Sequence, residues 1–212
     1  MALYSIREIN SDISLGIWEI EETEDTLNSY IELSEQEKQN FNAFKSKARR
    51  IQWLATRVLL KTMTNSIYKI DYSSTGKPFL KNSPIKISLS HSDKYVAILL
   101  NKKEETGIDI ERIGDKIERI KHKFLNSKEL SNIQEQASLQ KLHIYWAAKE
   151  SLYKLYGKKE LIFKENLLID SFEYAEKGNL KASINQSGFN KSFLLEYEKI
   201  NGHILVFVKC EL

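Results

Sequence analysis

Two long stretches of helical period, each followed by short segments of two-residue period, constrain this chain more than any other feature. In residues 45–66 the apolar positions Ala48, Ile51, Leu54, Ala55, Val58, Leu59 and Met63 recur at spacings of three and four. That pattern predicts a long helix with one buried stripe. Residues 139–156 form a second strongly helical segment, which should stop at Gly157. Ile85, Ile87 and Leu89 alternate with polar residues, and Tyr95–Leu100 follows after a short polar gap, which reads as an antiparallel hairpin with His91 at its tip. Gly107-Ile-Asp-Ile-Glu111 alternates again and is expected as the third strand of a meander.

The remaining segments extend the pattern. Gly16–Glu22 alternates like a half-buried strand, residues 34–44 read as a polar helix, and Ser73–Pro78 as a turn. Residues 127–136 are expected as a helix capped by Asn126 or Ser127, and 171–174, 192–198 and 203–209 as strands. Each half therefore combines helix with a small antiparallel sheet, an α+β chain. Its 212 residues allow one large domain or two small ones, and with only 2 Pro and 8 Gly there is no flexible linker. The expected division is 1–103 and 104–212, packed against each other.

Composition narrows the function classes. With 42% apolar and 29% charged residues the chain is globular rather than disordered. The net charge of +3 requires neither nucleic acid nor an anionic membrane, so any anion site must be local. Cys210 is the single cysteine, no stretch reaches the length of a membrane span, and the start reads as no leader peptide, which makes the cytoplasm the expected location. Walker and dinucleotide fingerprints, serine-hydrolase elbows and His/Cys metal spacings are all missing.

What chemistry remains lies in three segments. Strand periodicity puts Asp109 and Glu111 on one face of 107–111, where two carboxylates can chelate a hard divalent cation, although a solvated strand face has the same pattern. Trp146, Glu150 and Lys154 fall at i, i+4 and i+8 of the second helix beside Tyr153, which offers either a third metal carboxylate with a phosphate-neutralising cation or an ordinary helical ion pair. Ser88-Leu-Ser-His-Ser92 gathers hydroxyls and an imidazole at a strand end, suited to hold a phosphate ester or simply to edge a hairpin. Three carboxylates with a lysine is the equipment of phosphoryl transfer: the cation neutralises phosphate and a carboxylate takes the acceptor's proton.

These segments, in this order, resemble the 4'-phosphopantetheinyl transferase superfamily, most of all its longer, single-chain, pseudo-dimeric Sfp-type members. The resemblance rests on Gly76-Lys-Pro78, Ile87-Ser-Leu-Ser-His-Ser92, Gly107-Ile-Asp-Ile-Glu111 and Trp146-Ala-Ala-Lys-Glu-Ser-Leu-Tyr-Lys154, with Phe124-Leu-Asn-Ser-Lys-Glu129 as a helix-opening segment between the last two. It implies two similar α+β halves with the active site in the cleft between them. It also implies transfer of the phosphopantetheine arm of coenzyme A to a serine of an acyl or peptidyl carrier protein, releasing 3',5'-ADP. By this resemblance Asp109, Glu111 and Glu150 match magnesium (Mg2+) ligands, Glu150 the candidate general base, and Lys154 the lysine near the pyrophosphate. Lys77, Ser90 and His91 match coenzyme A contacts, and Arg49 and Arg50 are assigned to the nucleotide end. A monomer is expected, acting on a carrier protein rather than on nucleic acid or membrane. The carrier is expected to dock on the rim after Gly157, at Leu161, Ile162 or Phe163. A metal-dependent nuclease and a non-catalytic carrier-binding module are the alternatives, the first weakened because no close Glu-x-Lys pair lies on a strand.

Overall fold

The computed structural model describes residues 3–133 and 137–212. The chain begins with β1 (Leu3–Glu8), β2 (Ile13–Glu19), α1 (Glu24–Ser29), α2 (Glu35–Asn42) and α3 (Lys47–Thr64). It continues through β3 (Ile70–Tyr72), β4 (Pro78–Leu80), β5 (Lys86–Ser92), β6 (Tyr95–Asn101) and β7 (Ile108–Arg112). After a 3-10 turn at Asp115–Arg119 come α4 (Lys121–Phe124), α5 (Ser127–Ser131), α6 (Ser138–Tyr156) and α7 (Phe163–Asn166). The last strands are β8 (Leu167–Ile169), β9 (Lys177–Gln186), β10 (Phe189–Ile200) and β11 (His203–Glu211). They form a four-stranded sheet β1-β2-β6-β5, a five-stranded sheet β7-β11-β10-β9-β8 and a two-stranded ribbon β3-β4, every pair antiparallel.

Local signals set the helix ends. Ser34 and Glu37 close a capping box on α2, Asn126 and Glu129 another on α5, and α6 stops at Gly157 in the left-handed conformation that glycine adopts without strain. The buried stripe of α3 (Trp53, Leu54, Val58, Leu59) covers Trp18, Val96, Ile98 and Leu100 of the first sheet. That of α6 (Leu142, Tyr145, Ala148, Leu152) covers Leu195, Val206 and Val208 of the second. A third cluster joins Leu15, Ile17, Tyr95, Ala97 and Leu99 to Ile108, Ile110, Leu205 and Phe207, so the two sheets also pack on each other. Strand β6 is thereby buried on both faces, which is why it reads as an unbroken apolar run.

Four expectations need revision. The strand at 107–111 is not the third strand of a meander: β7 pairs with β11, Ile110 opposite Leu205, a partner far along the chain that local periodicity does not reveal. Residues 171–174 form no strand. Their Phe172 and Tyr174 pack individually against the core, Phe172 against the rings of Tyr145 and Tyr197, which mimics strand composition without pairing. The early strand lies at Ile13–Glu19 instead of 16–22, and β1, α1, β3, β4, β8 and β9 carry patterns too short or too polar to read alone. Of the helix expected over 127–136, residues 127–131 are helical, and Gln134, Glu135 and Gln136 lie outside the described residues.

Candidate active site

The carboxylates are assembled by the contact of β7 with α6. Gly107 enters β7 so close to α6 that a Cβ there would run into the Ser151 carbonyl oxygen, so only glycine admits this approach. The approach lets Lys154 Nζ donate to Ile108 O at 3.0 Å and to Asp109 Oδ1 at 2.7 Å. Asp109 is 3% exposed, and its Oδ2 is buried with no hydrogen-bond partner among the described residues. Glu111 accepts from Trp146 Nε1 at 3.2 Å. Burial, followed by the Asp109 charge, pushes both Glu111 and Glu150 up to about 7, and Glu111 adds to the effect on Glu150. Three acidic groups thus repel one another in a partly desolvated space.

Such a donor set fits a hard divalent cation: all ligands are carboxylate oxygens, one is a buried oxygen with no partner, and a positive ion would relieve the repulsion that lifts both glutamates. Among the described residues no group of three or more His, Cys, Asp or Glu side chains is drawn close enough to hold a metal ion by itself. An open set suits magnesium, which keeps water and substrate phosphate oxygens in its shell.

Next to the carboxylates lies a cleft of about 980 Å³, open to solvent. Its walls come from α3, the β3–β4 turn, β5 and the end of α6, and include Arg49, Arg57, Lys77, Lys154, Lys158 and Lys159. Among the described residues no carboxylate lines it. Trp53, Ile87, Leu89 and Tyr153 supply apolar surface, so the cleft combines cations with a dry wall. Arg49 bonds the His91 ring nitrogen Nε2. Because a guanidinium only donates, that nitrogen accepts and the ring is neutral, in keeping with a pKa held down by burial, then by Arg49 and Lys154. Lys77 Nζ donates to Leu155 O at 2.5 Å and pairs with Glu105 at 2.6 Å, reaching across to the end of α6.

The sequence of residues 105–208 matches the 4'-phosphopantetheinyl transferase superfamily. This likeness to the superfamily covers just under half of the chain. It is 31% identical over 120 residues to the 4'-phosphopantetheinyl transferase AcpT of Salmonella typhimurium, covering 55% of this chain and 59% of the relative. It is 33% identical over 118 residues to the AcpT of Escherichia coli K12, covering 55% and 58%. With the 4'-phosphopantetheinyl transferase gsp of Aneurinibacillus migulanus it shares 33% over 98 residues, 45% of this chain and 40% of the relative. The chain thus spans less than two thirds of the length of the curated relatives it matches.

Of the residues singled out by the superfamily motifs, Arg49, Lys77, His91 and Lys154 stand on the cleft wall, and Asp109, Glu111 and Glu150 cluster beside it. Arg50 is turned away: its Nε pairs with Glu24 at 2.9 Å and a second nitrogen reaches Phe44 O at 3.3 Å. Ser90 is not on the wall either, since its hydroxyl donates to Asp109 Oδ1 at 2.7 Å. Leu161 is 8% exposed and belongs to the core, so of the expected docking rim Ile162 alone is exposed, and the Phe163 ring packs between Trp146 and Tyr153. Sequence reasoning missed Lys158 and Lys159, whose one signal is their place directly after the Gly157 cap. It also missed Glu105, which holds Lys77 and Lys86. Lys149 of the helix motif is fully buried and donates to Glu129 at 2.7 Å and Phe163 O at 3.1 Å, so it braces the site from behind.

Proposed function

We propose that this chain transfers the phosphopantetheine arm of coenzyme A to a serine of an acyl or peptidyl carrier protein. One observation carries the reading: Lys154 belongs at once to the basic cleft and to the carboxylate cluster, so a pyrophosphate seated in the cleft reaches the acidic groups at that point. Arg49, Lys77, Lys158 and Lys159 give the cleft the charge to hold a nucleotide with several phosphate groups. His91 has its Nε2 lone pair taken up by Arg49, which leaves it unsuited to act as nucleophile or base and places it beside the cation that would meet a phosphate. Asp109, Glu111 and Glu150 are the residues that would hold magnesium, which when bound neutralises charge on the pyrophosphate.

Glu150 is the carboxylate suited to act as general base, since its burial favours uptake of a proton. In the proposed step it takes the proton of the carrier serine while the serine oxygen forms a bond to the phosphorus bearing the pantetheine arm. The bond from that phosphorus to the bridging oxygen breaks, and 3',5'-ADP leaves with the electron pair. Lys154 beside the same phosphates balances the charge that moves onto the leaving group. The cleft would lie between two similar packed halves, residues 1–103 and 104–212, a reading supported by a long helix lying on an antiparallel sheet in each. Exposed Ile162, just beyond the active-site helix, offers an apolar contact for the carrier. Among the described residues no helix is long and apolar enough to cross a membrane.

The test is mass spectrometry of apo carrier proteins incubated with coenzyme A, magnesium and this protein. Gain of one phosphopantetheine on the carrier serine, dependent on all three components, is expected. No gain on any acyl or peptidyl carrier, together with no binding of coenzyme A, would overturn the reading.

A further inference from the structure

Strand β7 has two edges, and they are satisfied differently. One pairs with β11, Asp109 opposite Val206 and Glu111 opposite Ile204. The other carries the N–H groups of Ile108, Ile110 and Arg112, which face β5 without joining its ladder. They meet three hydroxyls: Ser88 Oγ at 3.1 Å, Ser90 Oγ at 3.2 Å and Ser92 Oγ at 3.0 Å. Serines at alternate positions share one face of a strand, so β5 presents a row of side-chain oxygens where a neighbouring strand would present carbonyls. A buried N–H needs a partner, and Ser88 and Ser90 supply one each to Ile108 and Ile110, while Ser92 meets the exposed N–H of Arg112.

The middle serine does more than seal the edge. Having accepted from Ile110 N–H, Ser90 donates its own proton to Asp109 Oδ1 at 2.7 Å, between groups 7% and 3% exposed. Among the described residues neither Ser88 nor Ser92 donates to a carboxylate. Lys154 Nζ takes the same Oδ1 at 2.7 Å, so one oxygen of Asp109 is held by a hydroxyl and an ammonium, while Oδ2 stays buried and unpartnered. A carboxylate anchored through one oxygen presents the other in a set direction, which is how hydrogen bonds behind a metal ligand tune its affinity.

We infer that Ser90 is a positioning residue that orients Asp109 Oδ2 toward a divalent cation, and that it makes no contact with coenzyme A. This rests on the proposed function and is separable from it. The experiment is a magnesium titration of the whole protein in saturating coenzyme A, read by thermal shift and by calorimetry, with coenzyme A affinity measured separately. For Ser90→Ala the magnesium concentration at half-effect should rise about 10-fold with coenzyme A affinity unchanged. Ser90→Thr, which keeps the hydroxyl, should restore it. Ser92→Ala, which opens the seam without touching Asp109, should lower the thermal midpoint but leave the magnesium requirement as it was. Ser90→Cys keeps the size and a weak donor, and its intermediate requirement carries the comparison if Ser90→Ala does not fold. Weaker coenzyme A binding with an unchanged magnesium midpoint would overturn the inference in favour of direct nucleotide contact. Equal effects of Ser90→Ala and Ser92→Ala would overturn it in favour of a seam alone. A wild-type protein that binds coenzyme A but shows no magnesium effect would refute the positioning role together with the metal reading, whereas one that binds neither refutes the function.

Discussion

At the residue scale the three carboxylates do not share one job. Asp109 is anchored by Ser90 and Lys154, and Glu111 by Trp146, whereas no hydrogen bond holds the carboxylate of Glu150 among the described residues. A base must be free to receive a proton, and Glu150 is. Glu150→Gln should therefore keep coenzyme A binding while kcat for carrier modification falls about 100-fold or more, measured at saturating coenzyme A, magnesium and carrier. Near wild-type kcat would show that Glu150 is a replaceable ligand. His91 is expected to serve the nucleotide instead, because its ring bonds Arg49 on the cleft wall, where among the described residues there are cations and no carboxylate. His91→Ala should weaken coenzyme A binding by about 1 to 3 kcal/mol, the scale of a lost hydrogen bond to a charged group, with kcat at saturation nearly kept. Titration calorimetry with the nucleotide, beside steady-state rates, separates the two effects.

At the scale of elements, α6 is held in place by an ion pair that never meets solvent. Glu129, the closing residue of the α5 capping box, accepts from Asn126 N, from Lys149 Nζ and from Ile169 N at 3.0 Å, tying α5, α6 and β8 to one carboxylate. Burial pulls the Lys149 pKa down, while Glu129 pulls it back up. Removing one partner of such a pair leaves an uncompensated buried charge, so Lys149→Met should destabilise the fold by about 3 to 5 kcal/mol in urea denaturation. Replacing Glu129 as well should recover part of that loss. If Lys149→Met is as stable as the parent, the pair has no role in seating the helix that carries Glu150 and Lys154.

For the molecule as a whole, the carboxylate cluster couples stability to pH. Glu111 and Glu150 have folded-state values of about 7 against 4.5 for the free group, so the fold favours their protonated forms. A raised folded pKa contributes stability that is complete below pH 4.5 and is lost as pH rises through about 7. Without divalent cations, this contribution to the thermal midpoint should fall between roughly pH 4.5 and 7.5. Magnesium should then stabilise more at pH 8 than at pH 5, since it binds the ionised cluster of the folded state. A magnesium shift of equal size at both pH values would place the cation elsewhere.

Much of this protein is legible in its sequence because its signals are local. The stripe of α3, the Gly157 stop of α6, the β5–β6 hairpin and the pairing of Asp109 with Glu111 on one strand face all follow from periods of 3.6 and 2. The resemblance of four short motifs pointed to the superfamily for the same reason: each motif is contiguous. What the sequence left open is whatever depends on partners distant in the chain. Asp109 and Glu111 read equally well as a solvated strand face, and only the approach of Gly107 to Ser151 turns them inward against α6. Arg49 and Arg50 are neighbours with the same charge, yet the turn of the helix sends one to His91 and the other to Glu24. Ser90 stands beside His91 in a motif expected to bind phosphate, but alternation along β5 points its hydroxyl into the seam with β7. Local periodicity decides which face a side chain occupies, while tertiary packing decides what that face meets, and the burial that lifts the glutamate pKa values exists only once β7 and α6 come together.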